Sequence, residues 1–142
     1  KHADPAQLLN LVKENDLLEQ CFFWGFDTAT LRELRVLSPD AMLMAPRWMY
    51  SSIKEAAEAY DAQIIEFDAE KDDLFEISLC KDLGVKSMIY SRTEDWDDLS
   101  TYLKLIPDMI NLDRPDKFKI LASYPDVRHH FEAMTRGFNH GQ

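Results

Sequence analysis

The sequence is short of glycine and cysteine and contains no long apolar run. Only four of its 142 residues are glycine. The glycine-rich phosphate-binding patterns GxGxxG and the P-loop are absent, as are the hydrolase motifs HExxH and GxSxG. No apolar stretch approaches the roughly 20 residues of a membrane span, and no signal peptide is visible. The two cysteines, Cys21 and Cys80, lack the CxxC spacing of a metal site, and we interpret them as buried small side chains rather than a disulfide.

Basic residues are scarce relative to acidic ones. The chain has 16 Lys and Arg against 26 Asp and Glu, which gives a net charge of −10 and a pI near 4.7. Nucleic acids and anionic membrane surfaces are bound by clustered cations. We therefore expect neither as a partner, and we expect a soluble chain, either cytoplasmic or exported. The acidic excess is typical of a solubilising surface; the alternative is that some carboxylates hold a divalent cation.

What the sequence does contain is a regular alternation of apolar strands and amphipathic helices. Hydrophobic residues make up 46% of the chain and charged residues 30%, a composition typical of one globular domain. The first helix is predicted to begin at Asp4-Pro5, because Asp is a good N-cap and proline suits the first turn. A later helix is predicted over Glu70–Leu83, with Gly84 just after its end. The predicted strands are Cys21–Trp24, Ala41–Ala45, Gln63–Phe67, Val85–Tyr90 and Met109–Leu112.

The strand centres recur at a little over twenty residues, and such even alternation predicts a parallel sheet with right-handed crossovers. A doubly wound sheet and a (β/α)8 barrel both fit, and the uniform strand length and spacing favour the barrel. A complete barrel needs eight strands in about 250 residues. We therefore predict an α/β fold, a partial (β/α)8 TIM barrel of about five C-terminal strand–helix units plus a C-terminal helix. Residues 1–118 are assigned to the barrel part and residues 119–142 to a helical tail.

The carboxyl ends of the strands carry the reactive groups of parallel barrels, and this rule selects candidate residues without any motif. Asp27 is expected to cap the helix after the first strand, and Trp24 is either core or a ligand platform. Arg47 would meet an anionic substrate if it is not simply solvated. Asp113 either fixes a turn or contacts the substrate. The rule selects Trp24–Asp27, Pro46–Trp48, Asp68, Tyr90–Thr93 and Asp113–Asp116, together with Lys1 if a strand precedes it.

Two further features bear on a site. Glu66 alternates with apolar neighbours in the third strand, so its side chain lies either inside the barrel or against the helices. Either position is costly for a charge unless the charge is paired. His129 and His130 are adjacent, and neighbours on a helix point about 100° apart, so we do not interpret them as a metal pair.

Four segments follow, in order and spacing, the strand ends of one known enzyme family. Lys1–Pro5 (KHADP) is similar to the region after that family's Glu-x-Lys strand, with Lys1 as its lysine. Phe23–Asp27 (FWGFD) is similar to its Ser-Phe-Asp strand end, and Met88–Ser91 (MIYS) to its Trp-Thr-Val-Asn strand. Ile110–Asp116 (INLDRPD) is similar to its closing Thr-Asp-x-Pro segment. Over roughly residues 1 to 118, the chain thus resembles the C-terminal part of the glycerophosphodiester phosphodiesterase family.

The sequence also departs from the family's pattern. Gly25 stands where the family has serine, Tyr90 where it has tryptophan and Leu112 where it has threonine. The family's metal ligands and catalytic histidines correspond to positions upstream of Lys1, so no metal ligand is expected in this chain. The chain alone should therefore be inactive.

The resemblance implies a TIM barrel that cleaves small-molecule glycerophosphodiesters into an alcohol and glycerol 3-phosphate. In the intact family a divalent cation, Mg²⁺ or Ca²⁺, polarises the phosphodiester and two histidines move protons. Lys1 would be catalytic, because it would contact the phosphate as a point charge. Phe26 and Tyr90 would shape the wall near the glycerol or the leaving group. The predicted substrate-binding residues are Trp24, Phe26, Arg47, Tyr90 and Asp113.

Five strands of a barrel would leave two open sheet edges. We therefore expect the chain to pair with a missing N-terminal barrel half or with a second copy, and the start at Lys1 rather than Met favours missing upstream residues. Two alternatives stay open. One is a non-catalytic binding or interaction module that uses the edge of the first strand and the aromatic residues Phe22, Phe23 and Trp24. The other is a small complete doubly wound domain that binds a phosphorylated ligand.

Overall fold

A computed structural model describes residues 4–25, 27–93 and 95–124, in which helices and strands alternate. The helices are α1 (Pro5–Glu14), α2 (Thr28–Leu37), α3 (Ile53–Glu58), α4 (Ile77–Asp82), α5 (Trp96–Leu105) and α6 (Pro115–Ala122). The strands are β1 (Phe22–Phe23), β2 (Met42–Pro46), β3 (Ile64–Asp68), β4 (Lys86–Ser91) and β5 (Met109–Leu112). Short 3-10 helices lie at Leu18–Gln20, Arg47–Met49 and Leu74–Glu76. Across these residues, no helix combines the length and apolarity needed to cross a membrane.

The five strands form one parallel sheet in the order β1-β2-β3-β4-β5. Each strand pairs with the next one in sequence, so that Met44 lies beside Ile64 and Ile65 beside Ser87. A doubly wound sheet reverses its strand order at a switch point, whereas this order runs in one direction, as in a (β/α)8 barrel. The predicted parallel sheet is confirmed, and the strand order argues against the doubly wound alternative.

The main hydrophobic core lies between the sheet and the helices. Alternate residues of a strand point to opposite faces, and on one face Phe23, Leu43, Ile65, Phe67 and Ile89 are buried against the helices. The helical partners in this core include Leu9, Leu31, Leu34, Ile53, Ala56, Ile77, Cys80, Leu99 and Tyr102. Both cysteines are free thiols; Cys80 is buried, as predicted, whereas Cys21 is only half-buried.

The opposite face of the sheet carries a second, smaller apolar layer. Met44, Ile64 and Met88 are buried there, with Met42 and Met109 packed against them. Methionine is flexible and fills irregular gaps. Polar side chains follow this layer along the strands toward their carboxyl ends, so the inward face changes from apolar to polar in that direction.

The helix predicted over Glu70–Leu83 is shorter in the structure, because α4 covers only the second half of that range. Acidic side chains hold the preceding residues in turns. Asp68 Oδ1 accepts from the backbone N–H of Glu70 at 3.0 Å, and Asp72 Oδ2 accepts from that of Asp68 at 2.8 Å. Such local bonds compete with helix formation. Gly84 follows α4 with a φ of +69°, the left-handed conformation expected of glycine at this position.

Part of the predicted organisation lies outside the described residues. α6 spans Pro115–Ala122 and so crosses the predicted boundary at residue 118. The tail beyond residue 124, including His129 and His130, is outside the described ranges. The division into a barrel part and a helical tail therefore stays a prediction.

Candidate active site

A cavity of about 450 Å³ lies on the inward face of the sheet, at the carboxyl ends of the strands. Most of its lining comes from alternate residues along the strands, because these side chains share one face. Its lining side chains among the described residues are Phe22, Trp24, Met44, Trp48, Glu66, Asp68, Lys71, Met88, Tyr90, Arg92 and Asn111. Barrel enzymes carry their active sites at this end, so the cavity is the candidate site.

Glu66 lies in this cavity as a buried carboxylate. The residue is 3% exposed, and its Oε2 accepts a hydrogen bond from the indole Nε1 of Trp24 at 3.2 Å. Burial disfavours the charged form and raises the pKa of Glu66 to about 6, although the bond from Trp24 opposes this shift. Asp68 and Asp72 raise the pKa further, and Lys71 lowers it. Glu66 therefore carries a charge that its surroundings disfavour.

Asp68, two residues further along β3, is well paired. Its Oδ2 accepts from Lys71 Nζ at 2.6 Å and its Oδ1 from the backbone N–H of Glu70 at 3.0 Å. Burial opposes ionisation of Asp68, but these hydrogen bonds outweigh burial and lower its pKa. Lys71 Nζ also lies 4.9 Å from the centroid of the Trp48 ring, and the Lys71 side chain is 56% exposed. Lys71 thus places a cation at the rim of the cavity.

Arg92 provides a second cation at the rim, just after β4. Its Nε donates to the Tyr90 hydroxyl at 2.5 Å, and its guanidinium carbon lies 5.6 Å from the centroid of the Tyr90 ring. The hydrogen bond to Tyr90 raises the pKa of Arg92, so the guanidinium stays charged. Asn111 of β5 adds an amide to the same cavity. This combination of donors suits an anionic group at the mouth of the cavity.

The structure brings together two of the predicted substrate-binding residues. Trp24, directly after β1, and Tyr90 of β4 both line the cavity. Lys1 and Phe26 lie outside the described residues, so their roles stay predictions. Asp27 caps α2 as predicted, since its Oδ1 accepts from the backbone N–H of Ala29 at 3.0 Å.

Arg47 and Asp113 are not among the lining residues. The Nε and Nη2 of Arg47 donate to the two carboxylate oxygens of Glu76 at 2.7 and 3.2 Å, and its Nη1 donates to the Tyr50 carbonyl at 2.7 Å. Arg47 thus ties the loop after β2 to the 3-10 helix before α4. Asp113 is exposed, and its charge acts on Arg92.

Several side chains of the cavity were not predicted individually from the sequence. The strand-end rule covers Trp48 and Arg92 within ranges, but it offers no reason to prefer them to their neighbours. Lys71 falls in a segment that was predicted to be helical, so its place at the rim was not visible. Glu66 was identified as a costly charge, and the structure supplies its partner, Trp24.

The described residues do not form a metal centre by themselves. Within residues 4–25, 27–93 and 95–124, no group of three or more His, Cys, Asp or Glu side chains is placed to hold a metal ion. In the cavity, Asp68 is bound to Lys71 and Glu66 accepts from Trp24. These donors alone do not fit a divalent cation, which needs several converging oxygen ligands.

Fold and site together define a class of protein: a segment of a parallel (β/α) barrel with a cation-rimmed cavity at the carboxyl ends of its strands. The chain matches a glycerophosphodiester phosphodiesterase from Agrobacterium tumefaciens with a TM-score of 0.78 and 24% identity, over 87% of this chain and 53% of that one. It matches another from Parabacteroides distasonis with a TM-score of 0.68 and 18% identity, over 87% of this chain and 55% of that one. The predicted partial TIM barrel is confirmed, and so is the resemblance to this family at the level of the fold.

The chain spans about half the length of these solved structures. No family model matches it, and no curated protein matches it. At these identities the likeness establishes a shared fold.

Proposed function

We propose that the chain is part of a phosphodiesterase that hydrolyses glycerophosphodiesters. One observation carries the proposal. The cavity at the carboxyl ends of the strands is rimmed by Lys71 and Arg92, in a fold shared with structures described as glycerophosphodiester phosphodiesterases. Barrel enzymes place their chemistry at this end, and rim cations suit the negative charge of a phosphodiester.

In this proposal the phosphate lies at the rim of the cavity. Lys71 has three donors, of which Asp68 takes one at 2.6 Å. Arg92 is bound to Tyr90 through its Nε, so the outer nitrogens of its guanidinium are the ones that would meet the phosphate oxygens. Both cations stand on neighbouring loops, after β3 and β4, so they would approach the same phosphate from two sides.

The other predicted residues, except Arg47, enter the proposal at the same cavity. Lys1 would contact the phosphate as a point charge. Trp24, Phe26 and Tyr90 would form the wall near the glycerol or the leaving alcohol. Asp113 would act on the phosphate site indirectly, through its charge on Arg92.

Hydrolysis in the resembled family uses a divalent cation, Mg²⁺ or Ca²⁺, and histidines that move protons. The described residues do not fit that cation, so we assign them to substrate binding rather than to bond cleavage. We propose that the catalytic groups come from a further barrel segment or a second copy, which pairs with an open edge of the sheet at β1 or β5. The chain alone would then bind its ligand without hydrolysing it.

Binding of glycerol 3-phosphate tests the phosphate site. We expect Lys71→Met and Arg92→Met each to weaken binding about ten- to hundredfold, because a hydrogen bond to a charged group contributes about 1.5 to 3 kcal/mol. Isothermal titration calorimetry measures the affinity. Lys54→Met is the matched control, because Lys54 is 70% exposed on α3 and pairs with Glu58 instead of lining the cavity. Equal affinity of wild type and all three variants would contradict the assignment.

A binding or interaction module without hydrolysis is the second candidate. It is favoured by the lack of a three-residue metal site among the residues that the structure describes. Metal-dependent release of glycerol 3-phosphate by the natural polypeptide would support the enzyme. Binding of the phosphodiester without release, under either Mg²⁺ or Ca²⁺, would support the module instead.

A further inference from the structure

A second cavity, of about 730 Å³, lies at the other end of the strands from the candidate active site. It is formed between α4 and α5, and its lining includes Lys86, the first residue of β4, and Asp108, directly before β5. Because these residues mark the amino ends of the strands, we call this cavity the amino-end groove. The proposed phosphodiesterase function uses none of its side chains.

The amino-end groove presents apolar surface that the described residues cover only in part. Val85, Leu105 and Ile106 line it, and each is half-buried. Leu83, at the C-cap of α4, is 45% exposed. Removing apolar surface from water is favourable, so a segment that covered these side chains would stabilise the chain.

Ile106 adopts an unusual backbone conformation at this groove. It ends α5 with φ +50° and ψ +56°, in the left-handed region that β-branched residues rarely occupy. Asparagine would occupy the same region at lower cost. A strained conformation persists where surrounding contacts compensate it, so the strain at Ile106 indicates an apolar contact of its side chain in the groove.

The C-terminal segment, residues 125–142, has the sequence pattern of a partner for such a groove. Val127, Phe131 and Met134 recur at the i, i+4, i+7 spacing of one helix face. Asp126 precedes them as a good N-cap, and Gly137 suits the position after the last turn. A helix of about ten residues is marginal in water by itself, so it needs a surface against which to bury its apolar face.

The C-terminal segment starts at the end of the sheet where the groove lies. A helix that follows a parallel strand runs back toward the amino ends of the strands, so α6 ends there, shortly before Tyr124. α6 packs beside α5, and packed helices lie about 8 to 10 Å apart. Three extended residues span about 10 Å, so residues 124–126 are long enough to bring Val127 to the edge of the groove.

Charge favours this segment over the body of a second copy as the occupant. Residues 125–142 contain two acidic and two basic residues, so the net charge of −10 is carried by the residues before them. Two bodies of that charge repel each other, whereas a neutral segment is not repelled. The groove likewise carries both signs, Asp82 and Asp108 with Lys81 and Lys86. A short tether also raises the effective concentration of the segment to the mM range.

We propose that residues 125–142 dock in the amino-end groove as a helix, with their apolar face against α4 and α5. The occupant of the groove is thus the chain's own C-terminal segment, which closes the amino-end face of the sheet. This inference is independent of the proposed function, because the groove and the candidate active site lie at opposite ends of the strands.

Nuclear Overhauser effects in the full 142-residue chain test the contact directly. We expect cross-peaks between the Phe131 ring and the methyl groups of Leu105 or Ile106. A sample that mixes isotope-labelled and unlabelled chains separates contacts within one molecule from contacts between two. Absence of these cross-peaks would overturn the proposal. Cross-peaks between molecules alone would also overturn it, because the occupant would then be the segment of a second copy.

Two substitutions on opposite faces of the predicted helix show which face docks. Phe131→Ala removes an apolar contact, so we expect the backbone amides of residues 130–135 to exchange with solvent roughly tenfold faster than in wild type, or more. His129→Ala is the matched control, because position 129 lies about 200° around the helix from Val127 and so away from the apolar face. It should keep the wild-type exchange rates. Equal rates in wild type and Phe131→Ala would overturn the proposal.

Ile106→Asn tests the contact from the groove side. Asparagine eases the backbone strain at this position, so without docking the substitution would leave amide exchange in residues 130–135 unchanged. With docking, loss of the apolar side chain should accelerate exchange in the same residues as Phe131→Ala does. Unchanged exchange in Ile106→Asn would overturn the proposal.

Discussion

Replacing Glu66 by glutamine is expected to stabilise the folded chain at neutral pH. The ordinary pKa of this side chain is 4.5, and burial raises it to about 6 in the folded chain. Holding the charge in the cavity therefore costs about 2 kcal/mol of the free energy of unfolding. Glutamine has nearly the same shape and can still accept from Trp24, but it has no charge to desolvate.

The sign of the pH dependence follows from the direction of this pKa shift. Because the pKa of Glu66 is higher in the folded chain, the folded state holds a proton that the unfolded state releases. The wild-type penalty is absent below about pH 4.5, grows as the pH rises and is complete above about pH 6. The difference in unfolding free energy between Glu66→Gln and wild type should therefore be about 2 kcal/mol at pH 7.5 and close to zero at pH 4.

Urea unfolding of both proteins at the two pH values measures this difference. Glu58→Gln, at an exposed position on α3, is the control and should match wild type within about 0.5 kcal/mol. If Glu66→Gln is no more stable than wild type at pH 7.5, the charge of Glu66 is compensated within the fold.

Three further substitutions test other parts of the structure by urea unfolding. Asp95→Ala removes the cap of α5, where Asp95 accepts from the backbone N–H of Asp97 at 2.8 Å. It should lower the free energy of unfolding by about 1 kcal/mol. Gly84→Ala should lower the free energy of unfolding by about 1 to 2 kcal/mol through backbone strain alone, because φ is +69° and an added Cβ would meet nothing within 4 Å. An unchanged free energy of unfolding would refute this. Arg47→Met breaks the pairing with Glu76 and should lower the free energy of unfolding by about 1 to 3 kcal/mol. The affinity for glycerol 3-phosphate should not change. A weaker affinity would support the prediction that Arg47 contacts the substrate.

Helix ends show what can be predicted from neighbouring residues in the sequence. Asp27 was predicted to cap α2 and does so, because the bond from a cap to the first turn spans only a few residues. The start of α4 was misjudged, because Asp68 and Asp72 bond to nearby backbone groups and keep the chain in turns. Whether backbone N–H groups bond to acidic side chains or join a helix is harder to predict than a single cap, because the two arrangements are close in energy.

The sequence by itself determined the β–α alternation and the presence of a parallel sheet. The apolar segments at even spacing each bury one face against helices, and short connections leave few other ways to pair them. The strand order that separates a barrel segment from a doubly wound sheet became visible only in the structure, because both arrangements bury the same apolar residues.

The tertiary structure alone decided which side chains meet at the carboxyl ends. Trp24 reaches Glu66 across 42 residues of sequence, and Arg47 turns to Glu76 across 29. Such contacts depend on strand register and on how loops fold back over the sheet, and neither leaves a periodic trace in the sequence. The sequence therefore determined where a site would lie, and packing decided which side chains in it are paired with one another.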